Sequence, residues 1–89
     1  MASLMNLFFK EKPAAILLEL EQTKHAHYTT TLAKKLKLPY TDVSEVLHTF
    51  VAQEIIFLEQ HGRLKLVVLT EKGKKVAQKL RSIVDSIKD

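Results

Sequence analysis

The chain has 89 residues, 14 Lys and Arg against 10 Asp and Glu, a net charge of +4 and no cysteine. That length holds one hydrophobic core, and the lack of cysteine excludes disulfide staples, a thiol nucleophile and cysteine-based metal sites, as expected in a reducing, cytoplasmic setting. No apolar run nears the roughly 18 residues that span a bilayer, and MASLMNLFF runs into KEKP without a basic leader, so neither a membrane span nor a secretory signal is expected.

In chain order, Leu4, Leu7 and Phe8 share a helical face within the first 11 residues. So short a segment cannot bury that area by itself. It either docks on a second subunit or caps the core of its own domain. A helix begins at Lys12-Pro13, with Pro13 in the first turn, where its missing N–H costs nothing. Ala14, Ile16, Leu17, Leu18 and Leu20 make it a core helix ending near Thr23. Lys24 to Tyr28 lead into a short extended piece, where His25 and His27 fall on one side. Two polar loop residues is the expected role, since a stable metal site takes three or four ligands; no cofactor is expected.

The centre of the chain reads as two short helices and a tight turn. The first covers residues 31–37, with Leu32, Ala33 and Leu36 on one face. The turn is Leu38-Pro39-Tyr40. The second covers residues 42–53, with Val43, Val46, Leu47, Phe50 and Val51 spaced as one buried stripe. Thr41 is the expected N-cap and Asp42 suits the positive helix end. Helices joined by so short a turn cross steeply, the geometry of a helix-turn-helix.

Next, IIFLEQ, His61-Gly62 and RLKLVVLT form a hairpin, with Gly62 supplying a positive φ. Pairing Gln60 with Arg63 and Phe57 with Leu66 sends Ile55, Phe57, Leu66 and Val68 to the core. Ile56, Leu58 and Val67 then point outward. Thr70 caps a last helix over residues 71–88. There Gly73, Val76, Leu80, Ile83 and Ile87 make a seam over two heptads, widened by Ala77 and Val84. Two heptads do not hold a coiled coil alone. The first half is expected to pack on the core, and Leu80, Ile83, Val84 and Ile87 to meet a second copy.

The basic surplus is clustered: Lys34, Lys35 and Lys37 before the turn, Arg63 and Lys65 at the hairpin tip, and Lys72, Lys74, Lys75, Lys79 and Arg81 beyond it. Such clusters suit a polyanionic partner, because each neutralised phosphate releases counterions.

LAKKLKLP (Leu32 to Pro39), TDVSEVLHTF (Thr41 to Phe50), the hairpin and LTEKGKK (Leu69 to Lys75) occur here in one order. In that order they resemble a winged helix-turn-helix domain of MarR-like and related small archaeal and bacterial transcription regulators. The resemblance covers residues 13–80. It implies a mainly α fold with a small β-hairpin (α+β), in the order α-α-β-α-α-β-β-α. Residues 12–80 would form the winged domain, with residues 1–11 and 81–89 serving dimerisation. It implies a homodimer bound to double-stranded DNA as a sequence-specific transcription regulator. The helix from Asp42 would enter the major groove, presenting Ser44, Glu45, His48, Thr49 and Gln53, with Tyr40 and Thr41 near its start. Thr30, Thr31, Lys34 and Lys35 would lie against phosphates. The wing tip, with His61, Arg63 and Lys65, would reach the flanking backbone or minor groove.

Two features depart from the family pattern. Glu45 stands where Arg or Lys is usual, Asp42 precedes it, and no Lys or Arg occurs from Tyr40 to Glu59. Glu54 occupies the place of the glycine that usually ends the recognition helix, and a left-handed conformation is unfavourable for it. The acidic helix keeps an alternative open, a winged-helix module that binds protein within a larger assembly. An enzyme is not expected: no Gly-rich phosphate loop or HExxH occurs, and no third group is identifiable to orient His48 beside Ser44. His48 and His61 are of a type that titrates near neutral pH, so DNA affinity is expected to rise on mild acidification.

Overall fold

A computed structural model describes residues 11–22 and 27–88. Leu4, Leu7, Phe8 and His25, singled out above, lie outside the described residues. The elements are α1 (Glu11–Gln22), β1 (His27–Tyr28), α2 (Thr29–Leu36), α3 (Tyr40–Ala52), β2 (Ile56–His61), β3 (Leu64–Leu69) and α4 (Glu71–Lys88). This is the expected α+β order from the core helix onward.

Each helix exists because one stripe of it is buried. Ile16, Leu17 and Leu20 of α1 meet Leu32 and Ala33 of α2, Val43, Leu47 and Phe50 of α3, and Ala77 and Leu80 of α4 in one core. Pro13 is the third residue of α1, where no intrahelical partner for its nitrogen is missed. The stripe of α3 is narrower than its apolar residues suggest: Val46 is half-buried and Val51 is 40% exposed.

The hairpin corrects the sequence reading. Ile56 pairs with Leu69, Leu58 with Val67, Phe57 with Val68, and His61 with Leu64, so the turn is Gly62-Arg63 rather than His61-Gly62. Gly62 has φ 62° and Arg63 is not among the residues with positive φ. A positive φ at the first central residue alone is the type II′ pattern, which favours Gly-X. The Gln60 amide braces this turn by donating to the Gly62 carbonyl at 2.7 Å. Moving the turn by one residue slides the pairing by two, so the same residues share each face in both registers; what differs is which face is buried. Ile56, Leu58, Val67 and Leu69 point to the core, while Phe57 is 43% exposed. Ile55 is buried as expected, but in the link before β2. Both faces of the hairpin are apolar, so alternation did not distinguish which of them is buried.

A third strand completes the sheet. His27 and Tyr28 pair antiparallel with Val67 and Leu66, giving the order β1-β3-β2. Because β1 runs directly into α2, this pairing anchors the first helix of the turn motif to the wing. Among the described residues no helix is long and apolar enough to cross a membrane.

Candidate nucleic-acid interface

The turn motif is built from two helix ends of the same design. α2 stops at Lys37, whose φ of 57° and ψ of 43° are left-handed. The Leu38 N–H donates to the Ala33 carbonyl at 3.0 Å and the Lys37 N–H to Lys34 at 3.2 Å. This is the Schellman pattern, which reverses the chain and satisfies helix carbonyls that would be orphaned. Pro39 follows in extended conformation as the N-cap of α3, its carbonyl accepting from the Val43 N–H at 3.1 Å. The helix thus starts at Tyr40, before the position expected. Thr41 lies within the first turn and is not the cap, because Pro39 already holds the extended conformation a cap needs.

α3 ends at Glu54 in the same way, with φ 61°. The Glu54 N–H donates to Val51 at 3.0 Å and the Ile55 N–H to Phe50 at 2.9 Å. Glu54 therefore adopts the conformation that a glycine would take more readily. The start of α4 clasps this end. The Thr70 hydroxyl lies 2.6 Å from the Glu54 carbonyl, to which it donates, and accepts from the Gly73 N–H at 2.9 Å. The Thr70 N–H donates to Ile55 at 3.0 Å, and Lys72 Nζ donates to the Gln53 carbonyl at 2.9 Å. A Cβ on Gly73 would stand 1.9 Å from the Ile55 oxygen. The Thr-Glu-Lys-Gly exit is thus a joint between the end of α3 and the start of α4, and its glycine is required by close approach.

Tyr40 is 50% exposed, Thr41, Glu45 and His48 are also exposed, and Ser44, Thr49 and Gln53 are half-buried. The Thr49 hydroxyl donates to the Glu45 carbonyl at 3.1 Å and so is engaged by its own helix. Thr31 is likewise engaged: its hydroxyl donates to the Tyr28 carbonyl at 2.9 Å and accepts from the Tyr28 N–H at 3.1 Å, closing the first turn of α2. Thr30 is exposed beside it. Among the described residues no hydrogen bond joins Ser44 to His48, and no group of three or more acidic, His or Cys side chains is placed to hold a metal.

Ion pairs sort the cations. Lys35 Nζ lies 2.8 Å from Glu19 Oε2, with His27 Nε2 3.8 Å from the same oxygen, so Lys35 is held against α1. Arg81 ties α4 to Glu21 and Gln22 of α1 at 3.5 and 3.2 Å. His61 Nε2 lies 3.1 Å from Glu59 Oε1 at the wing tip. Lys34, Lys37, Arg63 and Lys65 are exposed and make no ion pair among the described residues. One cation escaped the sequence reading: Lys12 of α1 reaches Asp42 in the first turn of α3. Its partner lies 30 residues on, so no local pattern marks it.

The C-terminal seam divides. Leu80 is buried in the domain's own core and Val84 packs against that core, while Ile83 is 49% and Ile87 79% exposed.

Helix, turn, exposed second helix and three-stranded sheet define a winged helix-turn-helix fold. A MarR-family transcriptional regulator from Rhodococcus sp. RHA1 shares the fold, with a TM-score of 0.80 at 14% identity over 96% of this chain and 61% of that one. No family model matches the chain. An uncharacterized protein of Archaeoglobus fulgidus is 32% identical over 84 residues, 91% of this chain and 88% of that protein. The crystal structure of AF1382 from the same organism has a TM-score of 0.87 at 31% identity, over 96% of this chain and 97% of that one. The chain belongs to the family of the Archaeoglobus protein it matches in sequence.

Proposed function

We propose that the protein is a sequence-specific double-stranded DNA-binding transcription regulator that acts as a homodimer in the cytoplasm. The observation that carries this reading is the exposure of Tyr40, Thr41, Glu45 and His48 on α3, together with exposed cations on α2 and at the wing that make no ion pair among the described residues. Tyr40, Thr41, Ser44, Glu45 and His48 would read or contact the major groove, with Thr49 and Gln53 at its edge. Lys34 and Thr30 would hold phosphates on one side, and Arg63, Lys65 and His61 on the other. Lys35 and Thr31 act through the fold, since each is engaged within the domain. Residues 1–11 and the exposed Ile83 and Ile87 would join two copies, Leu80 and Val84 supporting that face from beneath. The MarR-family resemblance supports the regulatory role.

The test is duplex binding titrated against salt. A DNA-binding dimer gives a steep fall of affinity between about 50 and 200 mM salt, and Lys34→Glu weakens it. A wild-type protein without a salt slope, or without measurable binding at about 50 mM salt, removes the reading.

A second reading has one observation in its favour. The outer sheet face exposes Phe57 at 43% and Leu64 at 41%, an apolar pair suited to a protein partner. Lys34→Glu would leave such a contact intact, whereas Phe57→Ser with Leu64→Ser would abolish it and spare DNA binding.

A further inference from the structure

The first turn of α3 carries Asp42, and Glu45 follows one turn along, on the helix proposed to enter the groove. Carboxylates there repel phosphate at close range. The cation that answers them comes from outside the turn motif. Lys12, the second residue of α1, donates from Nζ to Asp42 Oδ2 at 2.5 Å, its side chain 53% exposed and that of Asp42 31% exposed. The Lys12 ammonium is held charged above its ordinary pKa by the hydrogen bond and charge of Asp42, opposed slightly by desolvation and aided by Glu11 and Glu45.

An ammonium has three donors, and only the one to Asp42 is engaged among the described residues. We propose that Lys12 is a positioning residue of the DNA interface, which masks Asp42 and Glu45 on the recognition helix and offers its remaining donors to a phosphate oxygen. This rests on the DNA-binding reading above. It follows that α1 belongs to the interface, although the turn motif and wing contain the other candidate contacts. It also bears on how an acidic α3 can approach DNA: the Asp42 charge is paired within the protein before the duplex arrives.

The experiment uses the full chain and a mixed-sequence duplex of about two helical turns, titrated by fluorescence anisotropy over a salt series. Lys12→Gln, Lys34→Gln, Asp42→Asn and the double variant Lys12→Gln/Asp42→Asn are compared, with circular dichroism verifying that each is folded. Lys12→Gln is expected to lose roughly fivefold or more in affinity and about one unit of salt slope, and Lys12→Arg to keep the slope. Asp42→Asn is expected to recover roughly threefold in the Lys12→Gln background and less than about twofold in the wild type, the non-additivity of a contacting pair. A purely structural ion pair would change thermal stability without moving the slope. If Lys12→Gln matches the wild type while Lys34→Gln lowers affinity and slope, this inference is overturned and the DNA-binding reading stands. Equal effects of Asp42→Asn in both backgrounds also overturn it. A wild type without salt-dependent binding overturns both.

Discussion

Glu54→Gly is expected to stabilise the protein although it deletes a side chain. Glu54 holds φ 61° at the end of α3, where a Cβ is disfavoured. Its backbone is fully used: its N–H bonds Val51 and its carbonyl accepts from Thr70. Glycine preserves both bonds. Relief of the left-handed conformation is worth about 1–2 kcal/mol, and the larger entropy that glycine loses on folding removes about 0.5–1 kcal/mol. The net is about 0.5–1 kcal/mol of stability, or roughly 2–8 °C in Tm for a domain of this size. Removing a carboxylate from the negative end of α3 acts in the same direction. Glu54→Ala separates the terms, since it removes the charge and keeps the Cβ; it should gain only a few tenths of a kcal/mol. Urea unfolding at fixed protein concentration, followed by circular dichroism, measures both, and fixed concentration removes any contribution from association. A lowered midpoint for Glu54→Gly at unchanged m, or an equal gain for the alanine variant, refutes the backbone argument.

Gly73→Ala should destabilise by about 2–3 kcal/mol, because its Cβ would overlap the Ile55 oxygen; the urea midpoint reports it. Thr70→Val removes both the cap of α4 and the donor to Glu54, and should cost about 1–2 kcal/mol, with Thr70→Ser retaining most of the stability. The buried face of the hairpin is tested by a pair: Phe57→Lys should change stability by less than about 0.5 kcal/mol, whereas Ile56→Lys should unfold the domain, since Ile56 is 2% exposed. The reverse result would restore the core face expected from the sequence. Phe50→Ala, fully buried in the last turn of α3, should cost about 3–5 kcal/mol by thermal or urea unfolding.

From the core helix onward, the sequence by itself determined the type and order of the helices, the hairpin and the final cap. Those features are local: helical spacing of Ile16, Leu17 and Leu20 or of Val43, Leu47 and Phe50, a proline after Leu38, and Thr70 ahead of a charged helix. Local periodicity and capping chemistry are written into neighbouring residues. It also marked Lys34, Arg63 and Lys65 as candidate contacts, and Glu54 as an unusual helix end. What only tertiary structure decided involves partners distant in sequence. The register of the hairpin turned on whether Gly62 is the first or the second residue of the turn, and packing chose the buried face, since either was apolar enough. The two-residue β1 exists only because β3 pairs with it. Gly73 looked like a position in an apolar seam, and its meaning is the Ile55 carbonyl beside it. Lys35 and Lys34 are adjacent and chemically identical, but Glu19 of α1 engages Lys35 while Lys34 makes no ion pair among the described residues. Lys12 lies far from the turn motif in the chain and beside Asp42 in space. Composition shows how many cations a chain carries; packing decides which of them are engaged within the fold and which are left to meet a partner.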